Sequence, residues 1–175
     1  DTLEGGAGRD YLDGGEGDDL LLGGDGNDGG PGAGLFGGAG NDTLDGGAGN
    51  DVLNPGTGID VVIGGEGVDR MELDLSDATT AITVLYTDPT NGTVSTGTTF
   101  REIEEVGLRT GSGDDFINVP ATTDEGYVRH NNIRTGAGND RVINGIGNDV
   151  AYGEAGNDTL EGGAGRDYLD GGEGD

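Results

Sequence analysis

The chain has 175 residues, of which 42 are glycine, and its 35 acidic and 8 basic side chains give a formal net charge of −27. With only 30% hydrophobic residues, this composition is typical of disordered chains. The charge excludes nucleic-acid binding through a basic surface, and the lack of cysteine excludes a disulfide scaffold. Glycine does not recur at every third position, which excludes collagen, and no apolar segment approaches the roughly 20 residues that span a bilayer.

A nine-residue period overturns the expectation of disorder. Its template is G-G-x-G-x-D-x-U-x, where U is apolar, and residues 37–45 (GGAGNDTLD) and 46–54 (GGAGNDVLN) are adjacent copies. The period runs through residues 5–72 and returns over 135–175. Fixed-period repetition predicts a stacked, solenoid-type fold.

Each period predicts a turn followed by a short strand. The glycines among positions one to six permit positive φ and close backbone approach, and the last three residues, x-U-x, form a strand with U pointing inward. Two periods make one coil, and successive coils stack by parallel strand pairing. The predicted inward row is Leu12, Leu21, Leu44, Leu53, Val62, Met71, Val142, Ala151, Leu160 and Leu169.

The repeats contain one long turn. Residues 23–36 (GGDGNDGGPGAGLF) exceed one period by five residues. We expect the segment GGPGA to loop out and the strand to rejoin the roll at Leu35 and Phe36.

Residues 73–134 lose the period without becoming a linker. The segments at 82–87 (ITVLYT) and 93–96 (TVST) are strand-like, and Asn91 with Gly92 between them is a strong hairpin-turn pair. Residues 110–118 (TGSGDDFIN) return to the repeat pattern. We expect an irregular β-rich rung or hairpin packed on the roll, with no helix beyond one short turn; the alternative is a separate small β domain.

The aspartate at position six is the candidate for holding the turns. The predicted core has about one apolar side chain per period, which is too thin to order a glycine-rich chain by burial alone. Stacking places these carboxylates above one another at roughly 4.8 Å, so the column repels itself unless a cation lies between the turns. The row is Asp10, Asp19, Asp28, Asp42, Asp51, Asp60, Asp69, Asp115, Asp140, Asp149, Asp158 and Asp167.

Calcium is the cation that this chemistry favours. Carboxylate and carbonyl oxygens are the ligands that Ca²⁺ takes in proteins, six to eight at a time. A chain with no cysteine and one histidine is a poor zinc or iron protein. The alternative is that these aspartates only cap their own turns by hydrogen bonding.

The repeats resemble the repeats-in-toxin (RTX) family, whose calcium-binding units fold as a parallel β-roll. The resemblance implies that each Ca²⁺ lies between turns one coil apart, held by position-six aspartates and by backbone carbonyls of the turn, including those of positions two and four. It implies about eight to ten Ca²⁺ ions, which offset much of the negative charge. The implied metal ligands are Gly6, Gly8, Asp10, Gly15, Gly17, Asp19, Gly24, Gly26, Asp28, Gly38, Gly40, Asp42, Gly47, Gly49, Asp51, Gly56, Gly58, Asp60, Gly65, Gly67, Asp69, Asp115, Gly136, Gly138, Asp140, Gly145, Gly147, Asp149, Gly156, Asp158, Gly163, Gly165 and Asp167.

Several turns depart from the template. Pro55 replaces the first glycine of its turn, and Thr135, Asn144 and Glu154 replace glycines elsewhere. These departures weaken the expectation of a calcium site at those turns. Where asparagine precedes the aspartate, as at Asn41, we attribute it to tolerance of the left-handed conformation.

No enzyme signature is present. His130 is the only histidine, and the chain has neither a cysteine nucleophile nor a G-x-S-x-G motif. The many paired carboxylates are already explained by the repeat. We therefore expect a non-enzymatic protein with no catalytic residues, although RTX repeats also occur attached to secreted proteases and lipases.

Residues 1–18 (DTLEGGAGRDYLDGGEGD) are identical to residues 158–175, which indicates a window from an array whose unit is 157 residues long. A local duplication of two repeats is the alternative. We expect three regions: a repeat block at 1–72, the irregular rung at 73–134 with its repeat-like turn at 110–118, and a second repeat block at 135–175.

The array indicates a secreted, calcium-dependent filament, fibre, adhesin stalk or surface-layer component, located outside the cell or on its surface. Its partners would be calcium and further copies of the unit, through covalent continuation or self-association, with no nucleic acid and no membrane span. The alternative function is an accessory domain that helps a type I-secreted enzyme or toxin to leave the cell and fold, as the RTX resemblance also implies.

Overall fold

The computed structural model describes residues 1–119 and 130–174, and within these ranges the chain is all-β with no helix. The predicted parallel β-roll is confirmed. The part of the predicted irregular rung at 120–129 lies outside the described residues. The strands are β1 (Thr2–Gly8), β2 (Tyr11–Glu16), β3 (Leu20–Gly26), β4 (Gly34–Ala39), β5 (Thr43–Ala48), β6 (Val52–Thr57), β7 (Val61–Glu66), β8 (Arg70–Asp74), β9 (Thr83–Tyr86), β10 (Gly92–Val94), β11 (Thr99–Arg101), β12 (Glu105–Arg109), β13 (Phe116–Asn118), β14 (Asn132–Arg134), β15 (Arg141–Ile143), β16 (Ile146–Gly147), β17 (Val150–Tyr152), β18 (Thr159–Glu161), β19 (Ala164–Gly165) and β20 (Tyr168–Asp170).

The strands divide between two units. The first unit comprises Asp1–Leu73 with Thr90–Glu105, and the second comprises Asp74–Pro89 with Val106–Asp175. In the first unit, successive periods alternate between two sheets, with the orders β1-β3-β5-β7-β11-β10 and β2-β4-β6-β8. All of these pairs are parallel except the antiparallel hairpin β10–β11.

The second unit has the same organisation. Its two main sheets have the orders β9-β13-β15-β18 and β12-β14-β17-β20, and β16 pairs with β19. In the described part of this unit, the strand pairs are parallel. The irregular middle of the sequence therefore contributes strands to both units.

The register follows the period and absorbs the long turn. Leu3 lies opposite Leu21, one coil of two periods later. Leu12 lies opposite Leu35, so the five extra residues at 29–33 leave the strand itself in phase. The expected loop and its return at Leu35 are confirmed.

The core is a column of single apolar side chains from the inward row. Leu21, Leu44, Leu53, Val62 and Met71 are fully buried in the first unit. Val142 and Ala151 are fully buried in the second. Leu169 is 42% exposed, contrary to the inward prediction, because β20 stands at the end of its sheet with no following coil to cover it.

The expected strand length needs correction. The predicted three-residue strands occur in the second unit, but the regular strands of the first unit extend into the turns, where Gly6 pairs with Gly24 and Gly8 with Gly26. Glycine permits this because it has no side chain to separate the backbones. The first unit also contains the hairpin β10–β11, in which the Gly97 N–H donates to the Val94 carbonyl (2.9 Å).

Candidate calcium sites in the turns

The aspartates at position six form hydrogen-bonded ladders between coils. The backbone N–H of Asp28 donates to Asp51 Oδ1 (2.7 Å), and that of Asp42 donates to Asp60 Oδ1 (3.0 Å). In the second unit the Asp115 N–H donates to Asp140 Oδ1 (2.7 Å). Oδ1 therefore accepts from the preceding coil instead of capping its own turn.

The second carboxylate oxygen has no such partner. Oδ2 is buried without a hydrogen bond in Asp10, Asp19, Asp28, Asp42, Asp51, Asp69, Asp115, Asp140, Asp149 and Asp158. A buried carboxylate oxygen with nothing to pair with is costly, so each of these atoms marks a place where a cation would be favourable.

A backbone carbonyl oxygen lies beside each of several orphaned atoms. A Cβ built on Gly14 would lie 2.6 Å from both Asp19 Oδ2 and the carbonyl oxygen of Gly37, one coil later. A Cβ built on Gly46 would lie 2.6 Å from Asp51 Oδ2 and 2.5 Å from the Gly64 carbonyl oxygen. Both oxygens therefore pack against the Cα of the first glycine and lie close to each other, as two ligands of one calcium ion would.

In the turns that begin with glycine, the carbonyl that lies beside Oδ2 belongs to position one, which the sequence analysis did not name. The predicted ligands at positions two and four lie in the same turns, but position-two carbonyls already accept a bond from the next coil. For example, the Gly136 carbonyl accepts from the Ala155 N–H (2.8 Å). A carbonyl has two lone pairs, so one remains for a cation. The feature of the sequence that points to position one is the glycine repeated there.

Burial sets the electrostatics of the ladders. Desolvation raises the pKa of Asp42, Asp51, Asp140 and Asp149 above the ordinary aspartate value, and charged neighbours in the ladder add to it, although a backbone hydrogen bond opposes the shift. The same causes raise the pKa of Asp69 to about 7. The ladders thus hold carboxylates whose charge needs a counter-ion.

Side chains alone do not complete a metal site. Within residues 1–119 and 130–174, no three acidic or histidine side chains converge on one point. A cation in a turn must therefore take most of its ligands from backbone carbonyls. Oxygen ligands of this kind suit Ca²⁺, and calcium bound there would neutralise the paired carboxylates.

A second ladder runs along position five in the opposite direction. The Asn41 Oδ1 atom accepts from the Ile59 N–H (3.0 Å), and the Asn50 Oδ1 atom accepts from the Val68 N–H (3.1 Å). Both side chains accept from the following coil. Asn41 does not have a positive φ, so its explanation by left-handed tolerance was wrong: its amide bridges coils.

In the first unit, the irregular segment continues the ladders with different residues. The Thr98 hydroxyl accepts from the Asp60 N–H (3.4 Å) and lies 3.3 Å from Asp60 Oδ2. Glu104 Oε2 accepts from the Asp69 N–H (2.8 Å). Neither residue was predicted, because neither follows the template.

In the second unit, other residues take the place of aspartate in the ladders. Asn131 takes the position-six place: its Oδ1 accepts from the Val106 N–H (3.0 Å), and its own N–H donates to Asp149 Oδ1 (2.8 Å). The Ile82 N–H begins the other ladder by donating to Asp115 Oδ1 (2.7 Å). Val106 and Ile82 have no side-chain oxygen, and the first member of a ladder needs none.

Substitution of Asp51 separates the two roles of a ladder aspartate. At saturating calcium we expect Asp51→Ala to be less stable than Asp51→Asn by about 1–3 kcal/mol, because only alanine leaves the buried Asp28 N–H without an acceptor. Both variants should need more calcium than the wild type to reach half-folding. Urea unfolding and calcium titration measure the two effects. Equal stability of the variants would refute the hydrogen-bonding role.

Comparison with known proteins agrees with this geometry. The family model of the RTX calcium-binding nonapeptide repeat matches four times, at residues 1–29, 35–62, 56–77 and 143–175, which is more than half of the chain. A search of curated proteins found no match. No helix in the described ranges is long and apolar enough to cross a membrane. The chain belongs to the RTX calcium-binding nonapeptide repeat family.

Proposed function

We propose that the chain is one unit of a calcium-stiffened extracellular filament, fibre or stalk on the bacterial surface, without a catalytic role. The observation that carries this proposal is the identity of residues 1–18 with residues 158–175, which lie 157 positions later. A tandem array copies its whole unit, including the irregular middle. An accessory domain requires only the repeats.

The two copies pair with neighbouring coils through opposite edges. In the first copy, β1 and β2 stand at sheet ends and pair with the later strands β3 and β4. In the second copy, β18 and β20 stand at sheet ends and pair with earlier strands. The same 18-residue sequence therefore pairs through one edge in the first copy and through the opposite edge in the second copy. A coil inside an array must pair through both edges.

The inward leucine differs in exposure between the two copies. Leu12 is 6% exposed beside its following coil, whereas the identical residue of the second copy, Leu169, is 42% exposed. A further coil stacked on residues 158–175 would bury Leu169. Burial of apolar area contributes roughly 25 cal/mol per Å², so each added coil stabilises the one before it.

The test compares proteins that contain one, two and three consecutive 157-residue units. In calcium we expect particle length, measured by small-angle scattering and atomic force microscopy, to rise in proportion to the number of units. Chelation should abolish the extended form. Flexibly joined separate particles in the two-unit protein would contradict the filament.

A junction variant serves as the control. With the unit taken as residues 19–175, Leu169→Asp should leave the one-unit protein nearly unchanged, because that side chain is already partly exposed. In the two-unit protein it should break the stack at the junction and introduce a bend. The alternative function, a folding domain of a type I-secreted enzyme or toxin, does not need stacking across units and predicts no effect in either protein.

A further inference from the structure

The last turn of the first unit is compressed. The regular turn before β8 runs from Gly64 to Asp69 and begins within β7, whereas the turn between β11 and β12 has only Glu102, Ile103 and Glu104. The short turn omits the glycines of positions two and four. It therefore lacks the carbonyls that the RTX family would offer to calcium.

Glu102 takes the place of position one. β11 pairs in register with β7, with Arg101 opposite Ile63, so the next residues in each chain segment are Glu102 and Gly64. A Cβ built on Gly64 would overlap the Glu102 carbonyl oxygen and would lie 2.7 Å from Asp69 Oδ2. This is the arrangement of carbonyl and orphaned carboxylate found in the regular turns.

The backbone at Glu102 is strained in the conformation that places its carbonyl oxygen beside Gly64. Its φ is 56°, a left-handed value that only one other non-glycine residue adopts within residues 1–119 and 130–174. The segment before it holds the conformation, because the Glu102 N–H donates to Asn91 Oδ1 (2.9 Å) and the Ile103 N–H donates to the Thr90 carbonyl (3.0 Å). Strain maintained by neighbouring bonds indicates a functional conformation.

Glu104 takes the place of position six. Its Oε2 accepts from the Asp69 N–H (2.8 Å), and the N–H groups of Glu104 and Glu105 both donate to the Asp69 carbonyl (3.1 and 3.0 Å). Asp69 is fully buried, and its Oδ2 has no partner. Glutamate has one methylene more than aspartate, which gives its carboxylate the extra reach that a shortened turn requires.

The other aspartate ladder of the first unit ends at Asp60, where a hydroxyl group takes the place of a carboxylate. There the Thr98 hydroxyl lies 3.3 Å from Asp60 Oδ2, which is absent from the set of orphaned oxygens. A hydroxyl donates a hydrogen bond and satisfies the carboxylate without an ion. A glutamate at the equivalent place adds negative charge next to Asp69.

We infer that the compressed turn completes a calcium site of its own, in which Asp69 Oδ2, the Glu102 carbonyl and the Glu104 carboxylate are ligands, whereas the Asp60–Thr98 end of the unit needs no ion. This inference rests on calcium binding by the repeats and is independent of the filament role. It assigns two glutamates outside the nonapeptide template to calcium binding.

The test counts calcium ions bound to the full chain by native mass spectrometry. Glu104→Gln, which keeps an acceptor for the Asp69 N–H, should bind one ion fewer than the wild type. Thr98→Val and Glu105→Gln should bind the wild-type number, since Glu105 lies near Arg70 instead (3.7 Å). Glu102→Gly keeps the carbonyl and should also bind the wild-type number.

A stability measurement decides the case in which Glu104→Gln folds poorly. If the site holds calcium, Glu104→Gln should lower the urea midpoint at saturating calcium, or prevent folding, while Glu105→Gln does neither. If Glu104 only repels Asp69, its neutralisation should raise the midpoint. An unchanged ion count or a raised midpoint overturns this inference, whereas a wild-type chain that binds no calcium overturns calcium binding altogether.

Discussion

Removing calcium with EDTA at neutral pH is expected to abolish most of the β-sheet signal in far-ultraviolet circular dichroism. The core is one apolar side chain wide, and within residues 1–119 and 130–174 ten buried aspartate oxygens have no hydrogen-bond partner. An ion that binds only the folded chain contributes its binding free energy to folding. Without it, 42 flexible glycines and a net charge of −27 favour the unfolded chain.

Two controls separate specific binding from screening of charge. Sodium chloride at matched ionic strength should not restore the signal, because screening acts weakly on buried carboxylates. Magnesium should restore less than calcium, since it prefers strict octahedral geometry and retains water. Re-addition of calcium should restore the full signal. A β signal that persists in chelator would refute the dependence on calcium.

Substitution of Gly26 by alanine is expected to destabilise the roll far more than the same substitution at Gly8. Both glycines occupy position four of a turn, with φ of 137° and 130°, so a Cβ strains the backbone similarly at either site. At Gly26 the Cβ would also overlap the Gly8 carbonyl oxygen of the neighbouring coil, whereas at Gly8 it meets nothing within 4 Å.

The expected costs follow from this comparison. Backbone strain alone should cost Gly8→Ala about 1–3 kcal/mol. Gly26→Ala should cost about 1–3 kcal/mol more, because the coils must separate to admit the methyl group. Urea unfolding at saturating calcium measures both. Equal costs would show that coil spacing is not set by glycine contact.

The regular part of the roll was predictable because its period is visible in the sequence. The inward row, parallel stacking and the return of the strand at Leu35 all follow from one template. The exposure of Leu169 did not follow, because it depends on whether another coil covers it. The role of position one was also hidden: a repeated glycine indicates close approach but does not name the oxygen that approaches.

The ladder substitutes could not be predicted from the template. Thr98, Glu104 and Asn131 share only an oxygen that accepts a backbone hydrogen bond. Many residue types meet that requirement, so the aspartate signal disappears while the bonding continues. Ile82 takes part through its backbone alone, which leaves no trace in the residue type.

The five extra residues at 29–33 show how such a molecule can acquire new surface. Their coil keeps its register with both neighbours, with Leu12 opposite Leu35 and Leu21 opposite Leu44. Because cross-coil bonds join adjacent coils only, a longer turn has no effect further along the stack. Gly32, at the tip, has open space around its Cα. This turn is a place where evolution or an engineer can graft a foreign peptide while the rest of the roll keeps its shape.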